Sequence, residues 1–237
     1  MSKERVKALN LIHNEFLLNG VKNIFIIGTG NIGGTLLKQI KEIDNEKLRV
    51  CGIINQEKML MNEEGGIDLN GWDKKLEKGQ KANLASFLSW SRSVYLSNKI
   101  FVDCTASEYI AKKYLDLAQN GFHIVTPNKK FNVLPLDQYK NLREVLGKAK
   151  KKFLYEANVG AGLPVISTIW DLLKSGDKIV KIEGIFSGTL SYIFNTYDGK
   201  KSFSEIVKLA RKLGYTEPCG QKTFGAGPGN RTCVGTN

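Results

Sequence analysis

A doubly wound parallel α/β sheet followed by a second, smaller unit is the fold class this 237-residue chain predicts. Three observations carry it. Short, β-branched apolar runs alternate with amphipathic stretches along the first two-thirds of the chain. A glycine turn, Gly28-Thr29-Gly30-Asn31-Ile32-Gly33, stands between the first such run and the first amphipathic stretch. Near residue 156 the texture changes to glycine-rich and charged segments.

In chain order, residues 1–20 read as a short amphipathic helix. Leu9, Leu11, Ile12 and Phe16 recur near helical spacing and Gly20 stops it, so the stretch is a linker remnant rather than a domain. Ile24–Ile27 is apolar throughout, as a strand buried on both faces must be. The glycine turn follows, then a helix carrying Ile32, Leu36, Leu37, Ile40 and Ile43 on one side. Further strand runs are Arg49–Ile54, Ile100–Cys104, His123–Thr126 and Phe153–Ala157, with helical stretches Glu108–Gln119 and Leu136–Lys152 between the last three. Residues 21–155 are thereby assigned to one nucleotide-binding domain. Beyond it come a glycine-rich loop (Asn158–Pro164), a helix (Val165–Leu173), a charged strand (Lys178–Phe186) and a loop, SGTLSYIFN. A last helix runs from about Phe203 to Leu213, with Ser202 and Glu205 spaced as a capping box and Gly214 as its stop. Residues 219–237 hold five glycines, no acid and no hydrophobic period, and predict no packed structure.

Composition excludes several classes. No apolar run reaches membrane-spanning length and no signal segment opens the chain, so a membrane protein and a secreted one are not expected. Cys51, Cys104, Cys219 and Cys233 form no CxxC pair, which speaks against a zinc module or disulfide scaffold and for a reduced, intracellular setting. Lys and Arg number 35 against 23 Asp and Glu, a net charge of +12 that raises nucleic acid as a partner. Half of that excess, +6, lies between Lys129 and Lys152, largely on one helical stretch. A solvated helix face explains it, with an electrostatic funnel for a phosphorylated cofactor as the sharper alternative. No aromatic-interleaved basic strand accompanies it, so no nucleic-acid role is expected.

The glycine turn carries chemistry. Gly28 permits the tight turn, Gly30 lets backbone approach a pyrophosphate, and Gly33 allows close helix–strand packing. The backbone N–H groups of the turn and first helical residues (Thr29, Asn31, Ile32) face the phosphates. Strand and helix flanks favour a dinucleotide over a plain connecting turn. An NAD reader would carry an acid at the end of the second strand. Here that strand ends in Asn55, with Glu57 and Lys58 beyond. Asn55 does not repel a 2′-phosphate and Lys58 could meet it, so NADP is preferred, with NAD open because a loop rotation exchanges Glu57 for Lys58.

The segments VDCTAS (Val102–Ser107), TPNKK (Thr126–Lys130), YEANVGAGLPVIST (Tyr155–Thr168), IEGIFSGTLSYIFN (Ile182–Asn195) and LGYTEP (Leu213–Pro218) resemble homoserine dehydrogenase. GGIDLNGWDKKL (Gly65–Leu76) and the leader resemble the dehydrogenase half of bifunctional aspartokinase/homoserine dehydrogenases. The resemblance implies a Rossmann-type sheet followed by an incomplete α+β catalytic and dimerisation domain at residues 156–218. It implies reversible NAD(P)-dependent reduction of aspartate 4-semialdehyde to homoserine, on the route to threonine, methionine and isoleucine. Thr105 would line the dinucleotide crevice, and Lys129 would bridge cofactor and substrate, its ammonium polarising a carbonyl, while Lys130 is the solvated neighbour. Glu156, with the backbone carbonyls of Val159, Ala161 and Leu163, would hold a monovalent cation such as Na+. Spacing alone makes that loop a glycine turn between domains. Gly214 would belong to the loop over the nicotinamide, and Glu217 would accept hydrogen bonds from the substrate amino group. A homodimer and an upstream aspartokinase domain are implied partners. A cytoplasmic location is the default, with a plastid for a plant-type precursor.

The resemblance stops after Pro218. Where the family continues with an acidic run and the lysine taken as proton donor, this chain has Cys219-Gly220-Gln221-Lys222, and Lys222 has no matching context. A frameshift, a mis-spliced gene model or a truncated gene is the expected origin. Turnover is therefore expected to be very low, the alternative being a dinucleotide-binding fragment without turnover. Exposed apolar faces should bring poor solubility or association.

Overall fold

The structure, a computed structural model, describes residues 20–160 and 162–216. The leader helix (residues 1–19), Ala161, Glu217 and the tail thus lie outside the described residues.

Seven strands form one sheet in the order β4-β3-β2-β1-β5-β6-β7. They are β1 (Lys22–Ile27), β2 (Leu48–Ile54), β3 (Lys58–Met61), β4 (Gln80–Lys81), β5 (Lys99–Asp103), β6 (His123–Val125) and β7 (Phe153–Leu154). Five run parallel, from β2 through β1, β5 and β6 to β7. The expected all-parallel sheet needs one correction: β3 and β4 add an antiparallel ribbon at the β2 edge. An antiparallel edge can be joined by tight turns, and Asn55 makes the first, its Oδ1 accepting from Glu57 N at 2.9 Å and Lys58 N at 2.7 Å.

Pleating divides the apolar side chains between two cores. Ile24 and Ile26 of β1 face one side with Val50, Ile53, Ile100 and Val102. That face is covered by Leu36, Leu37 and Ile40 of α1 (Asn31–Ile43) and Leu76 of α2 (Trp72–Glu77). Phe25 and Ile27 face the other side, under α3 (Leu84–Ser93), α4 (Glu108–Ala111), α5 (Tyr114–Gln119) and α6 (Leu136–Lys148). Helices on both faces make the sheet doubly wound. Ile43, assigned to the apolar side of α1, is 49% exposed at the helix end. The single helix expected over Glu108–Gln119 is two: Lys113 N bonds Ile110 O at 2.9 Å, a tightened turn between α4 and α5 that brings Tyr114 to 0% exposure.

Beyond β7 the polypeptide holds α7 (Val165–Lys174), α8 (Gly188–Thr196) and α9 (Phe203–Lys212). The expected strand Lys178–Phe186 does not form. Its backbone finds no partner strand among the described residues, and Val180 and Ile185 are 95% and 79% exposed. SGTLSYIFN, expected as a loop, is α8, started by the Ser187 side chain accepting from Leu190 N at 3.2 Å. The capping box on α9 is present: Ser202 Oγ accepts from Glu205 N at 3.3 Å and Glu205 Oε2 accepts from Ser202 N at 2.8 Å. Only Ile193, Ile206 and Ala210 are buried between α8 and α9, and no residue of α7 is buried.

Candidate functional site

Strand order reverses at β1: its sequence neighbour β2 lies on one side and β5 on the other. The crevice of such a sheet opens at the carboxyl ends of the strands flanking that point. The Gly28–Gly33 turn leaves β1 there. Gly28 N donates to Ile54 O at 2.8 Å, and Cys104 N to Ile27 O at 2.8 Å, so the turn hangs between β2 and β5.

Each glycine has a distinct steric reason. Gly28 has φ +91°, and a Cβ on it would sit 3.0 Å from both Cys104 O and Thr105 Cγ2. A Cβ on Gly33 would stand 1.9 Å from Gly28 O, so strand and helix approach too closely for any side chain. A Cβ on Gly30 meets nothing within 4 Å. Gly30 is thus spared a side chain by no protein neighbour; the open space lies at the N-terminus of the 13-residue α1, where free N–H groups and the helix dipole favour phosphate. The residues present fit a dinucleotide pyrophosphate. The Trp72 ring lies over the same turn, 3.7 Å from a Cβ on Gly34.

Asn55 closes the turn from the β2 side, its Nδ2 donating to Thr29 Oγ1 at 3.4 Å. Lys58, assigned to a 2′-phosphate, donates instead to Gly79 O at 3.1 Å; the antiparallel β3 carries it toward β4. Glu57 is exposed.

Thr105 stands beside Gly28, and behind it lies a buried carboxylate that sequence reasoning did not single out. Asp103, 0% exposed at the end of β5, accepts four hydrogen bonds on its side chain. Thr105 N and Oγ1 donate to Oδ1 at 2.8 and 2.7 Å. Tyr114 Oη and Asn128 Nδ2 donate to Oδ2 at 2.6 and 2.9 Å. Thr126 Oγ1 donates to the Asp103 carbonyl at 3.0 Å and accepts from Asn128 N at 2.8 Å. Burial pushes the Asp103 carboxyl above its ordinary range, against those donors, and pushes the Cys104 thiol and Tyr114 phenol up as well. An acid ending an apolar strand (IFVD) and a Thr-x-Asn turn (TPN) were the signals that could have found this network.

The network reaches the TPNKK loop. Asn128 Oδ1 accepts from Lys130 N at 3.0 Å, bending the chain at Lys129. Lys129 and Lys130 are both exposed, so exposure does not separate them. Asn158 Nδ2 donates to Asn128 O at 3.2 Å, bringing the Glu156–Asn158 turn to the same place.

The Glu156 carboxylate is buried, and its oxygens accept from Ile166 N at 3.0 Å and Ser167 N at 2.8 Å. It caps α7. Leu163 O accepts from Val165 N at 2.9 Å, Gly160 takes φ +68°, and Leu163 is 63% exposed. Each Glu156 oxygen thus spends one acceptor position on starting α7, and Ala161 of the expected cation loop lies outside the described residues. Gly214 has φ +78° and ends α9, Tyr215 N reaching Ala210 O at 3.0 Å in the manner of a helix C-terminal stop. Thr189 Oγ1 donates to Tyr215 O, so this loop is tied to α8.

Known proteins bear on this arrangement. Residues 28–156 match the family model described as homoserine dehydrogenase, NAD binding domain, and residues 164–221 match the one described as homoserine dehydrogenase. The chloroplastic bifunctional aspartokinase/homoserine dehydrogenase 1 of Arabidopsis thaliana is 48% identical over 223 residues, 90% of this chain and 24% of that protein. Homoserine dehydrogenase of Schizosaccharomyces pombe is 42% identical over 214 residues, 83% of this chain and 56% of that protein. A hyperthermophilic archaeal homoserine dehydrogenase in complex with NADPH shares the fold at TM-score 0.68 and 21% identity, over 83% of this chain and 62% of that one. The chain spans about a quarter of the length of the bifunctional plant relatives.

Proposed function

The chain belongs to the homoserine dehydrogenase family, and from that premise we propose that it binds a nicotinamide dinucleotide at Gly28–Gly33 and serves reversible reduction of aspartate 4-semialdehyde to homoserine. One observation carries the reading: the open space above Gly30, at a helix N-terminus and at the point where the sheet changes direction.

When bound, the coenzyme supplies or takes the hydride. The chain's own residues do the rest. Backbone N–H groups of Thr29, Gly30, Asn31 and Ile32 cradle the pyrophosphate. Thr105 walls the crevice beside Gly28, its hydroxyl donating to Asp103. The Lys129 ammonium polarises the substrate carbonyl oxygen, favouring negative charge there as the hydride adds. Glu217 receives the substrate ammonium, and Gly214 gives the loop before it its turn. NADP is preferred over NAD because Asn55, not an acid, follows β2, while a 2′-phosphate would find Lys58 occupied at Gly79. No step is routed through a cation at Glu156, Val159, Ala161 and Leu163. An aspartokinase segment upstream belongs to the same proposal, since the bifunctional relatives are named for both activities; a homodimer is proposed with it. The chloroplastic names of the plant relatives support a plastid, with the cytoplasm as the alternative; among the described residues no helix is long and apolar enough to cross a membrane.

The test is calorimetric titration with NADPH and NADH, followed by homoserine-dependent NADP reduction. Saturable NADPH binding with turnover supports the full proposal. Binding without turnover leaves the dinucleotide-binding fragment. Absence of binding to either coenzyme overturns both.

A further inference from the structure

We propose that Asp103 is a positioning residue for Lys129: its buried carboxylate clamps Asn128, and Asn128 sets where the lysine leaves the loop. The inference rests on the reading of Lys129 given above but makes a separate statement about what holds it.

The geometry is specific. The four donors to the Asp103 carboxylate, three side-chain groups and the Thr105 N–H, come from three places: Thr105 after β5, Tyr114 at the start of α5, and Asn128 after β6. Asn128 uses every polar group it has in this clamp. Its Nδ2 donates to Asp103 Oδ2 and, at 3.0 Å, to Ser107 O. Its Oδ1 accepts from Lys130 N, its N–H donates to Thr126 Oγ1, and its carbonyl accepts from Asn158 Nδ2. A residue tied at five points has little freedom to turn, and Lys129 is the next in the chain. Asn128 is 3% exposed while Lys129 is exposed, so the lysine is presented outward from a buried anchor. Thr105 shares the other carboxylate oxygen. One acid therefore sets the spacing between the residue beside Gly28 and the residue before Lys129. Dry surroundings strengthen the bonds that join Asp103 to Tyr114 and Asn128, and Asn128 to Thr126 and Ser107, and make them costly to break, which gives the clamp a single arrangement.

An amide cannot replace the acid. An Asn at 103 can still accept from Thr105, but its NH2 would face the Asn128 NH2, two donors with no acceptor between them. Tyr114→Phe removes one donor and keeps the ring against Phe131, stacked at 5.2 Å between centroids. Asn128→Ala removes the arm itself.

The experiment uses the full chain with its lysines reductively 13C-dimethylated, the Lys129 resonance being assigned from Lys129→Arg. Asp103→Asn, Tyr114→Phe and Asn128→Ala are compared with the parent by that resonance, by hydrogen exchange in the 126–131 segment, and by NADPH affinity. We expect Asp103→Asn and Asn128→Ala to move the Lys129 signal toward that of Lys130. Exchange in 126–131 should rise about tenfold, with Ile24–Ile27 unchanged, and NADPH affinity should fall roughly three- to tenfold. Tyr114→Phe, keeping the Asn128 bond, should lie between these variants and the parent. An unmoved Lys129 signal in Asn128→Ala and Tyr114→Phe overturns the proposal even where Asp103→Asn fails to fold. So does faster exchange spread equally over Ile24–Ile27, which marks a purely structural acid. If Lys129→Ala keeps full affinity for NADPH and homoserine while the clamp variants still move the signal, the clamp stands and the role given to Lys129 falls.

Discussion

Residues 22–154 and residues 156–216 use similar apolar side chains to different ends. In the first stretch Phe25, Phe87, Phe101, Tyr114 and Phe122 are all 0% exposed, locked edge-to-face in pairs such as Phe25–Phe122 at 5.5 Å. In the second, Trp170, Leu173, Ile182, Phe186 and Phe194 are 43–64% exposed, and three residues make up the buried cluster. Both stretches hold amphipathic helices, and side-chain caps occur in both, Asn83 on α3 in the first and Ser187 and Ser202 on α8 and α9 in the second. What separates them is a sheet: five strands with buried residues give α1 to α6 something to cover, whereas α7 meets the Glu156 cap and, at Trp170, the Arg143 guanidinium 5.9 Å from the ring centroid. Amphipathicity shows that a face wants burial; it does not supply the surface that buries it.

That contrast can be broken most forcefully in the aromatic core. Phe101→Ala should cost about 3–5 kcal/mol in urea denaturation, because the cavity is fully enclosed. Trp170→Ala, a larger side chain lost, should cost under about 0.5 kcal/mol. Equal costs would show that α7 has a buried role the contrast denies it.

A finer division lies within the glycine turn. Gly33→Ala puts a methyl 1.9 Å from Gly28 O, and should cost roughly 2–3 kcal/mol and NADPH binding with it. Gly30→Ala adds the same methyl into open space at φ −68°, so thermal unfolding should be unchanged while NADPH affinity falls at least tenfold. If both variants bind NADPH as the parent does, the turn is a connector only.

The smallest effect is one of pH. His123 sits in β6 beside Lys151 and Lys152, and burial, then those cations, push its imidazole down to about 4 from 6.5. The unfolded chain takes up a proton near pH 6.5 that the folded sheet refuses until about pH 4. The stability this lends is complete above pH 6.5 and is lost progressively as the pH falls toward 4. Residues 156–216 contain no histidine, so between pH 6.5 and 5 the sheet alone should weaken. His123→Gln should flatten that arm of the profile; an unchanged slope would place the titration elsewhere.

Strand runs, the glycine turn, the capping box and the Gly214 stop could be read from the residues because each rests on neighbours a few positions apart. An apolar run buried on both sides, a φ above zero, and Ser202 reaching Glu205 are local physics. The antiparallel β3–β4 edge, the tie of Lys58 to Gly79, and the clamp of Asp103 with Tyr114 and Asn128 join residues 11 to 25 positions apart. Spacing along the chain does not encode those meetings; the clamp exists because β5 and β6 lie side by side, and the Lys58 tie because β3 turns back along β2 and pairs with β4. Lys178–Phe186 carries the converse lesson. Its β-branched residues Ile179, Val180, Ile182 and Ile185 suit a strand, yet a strand is a property of two segments, and among the described residues its backbone has no second one to meet.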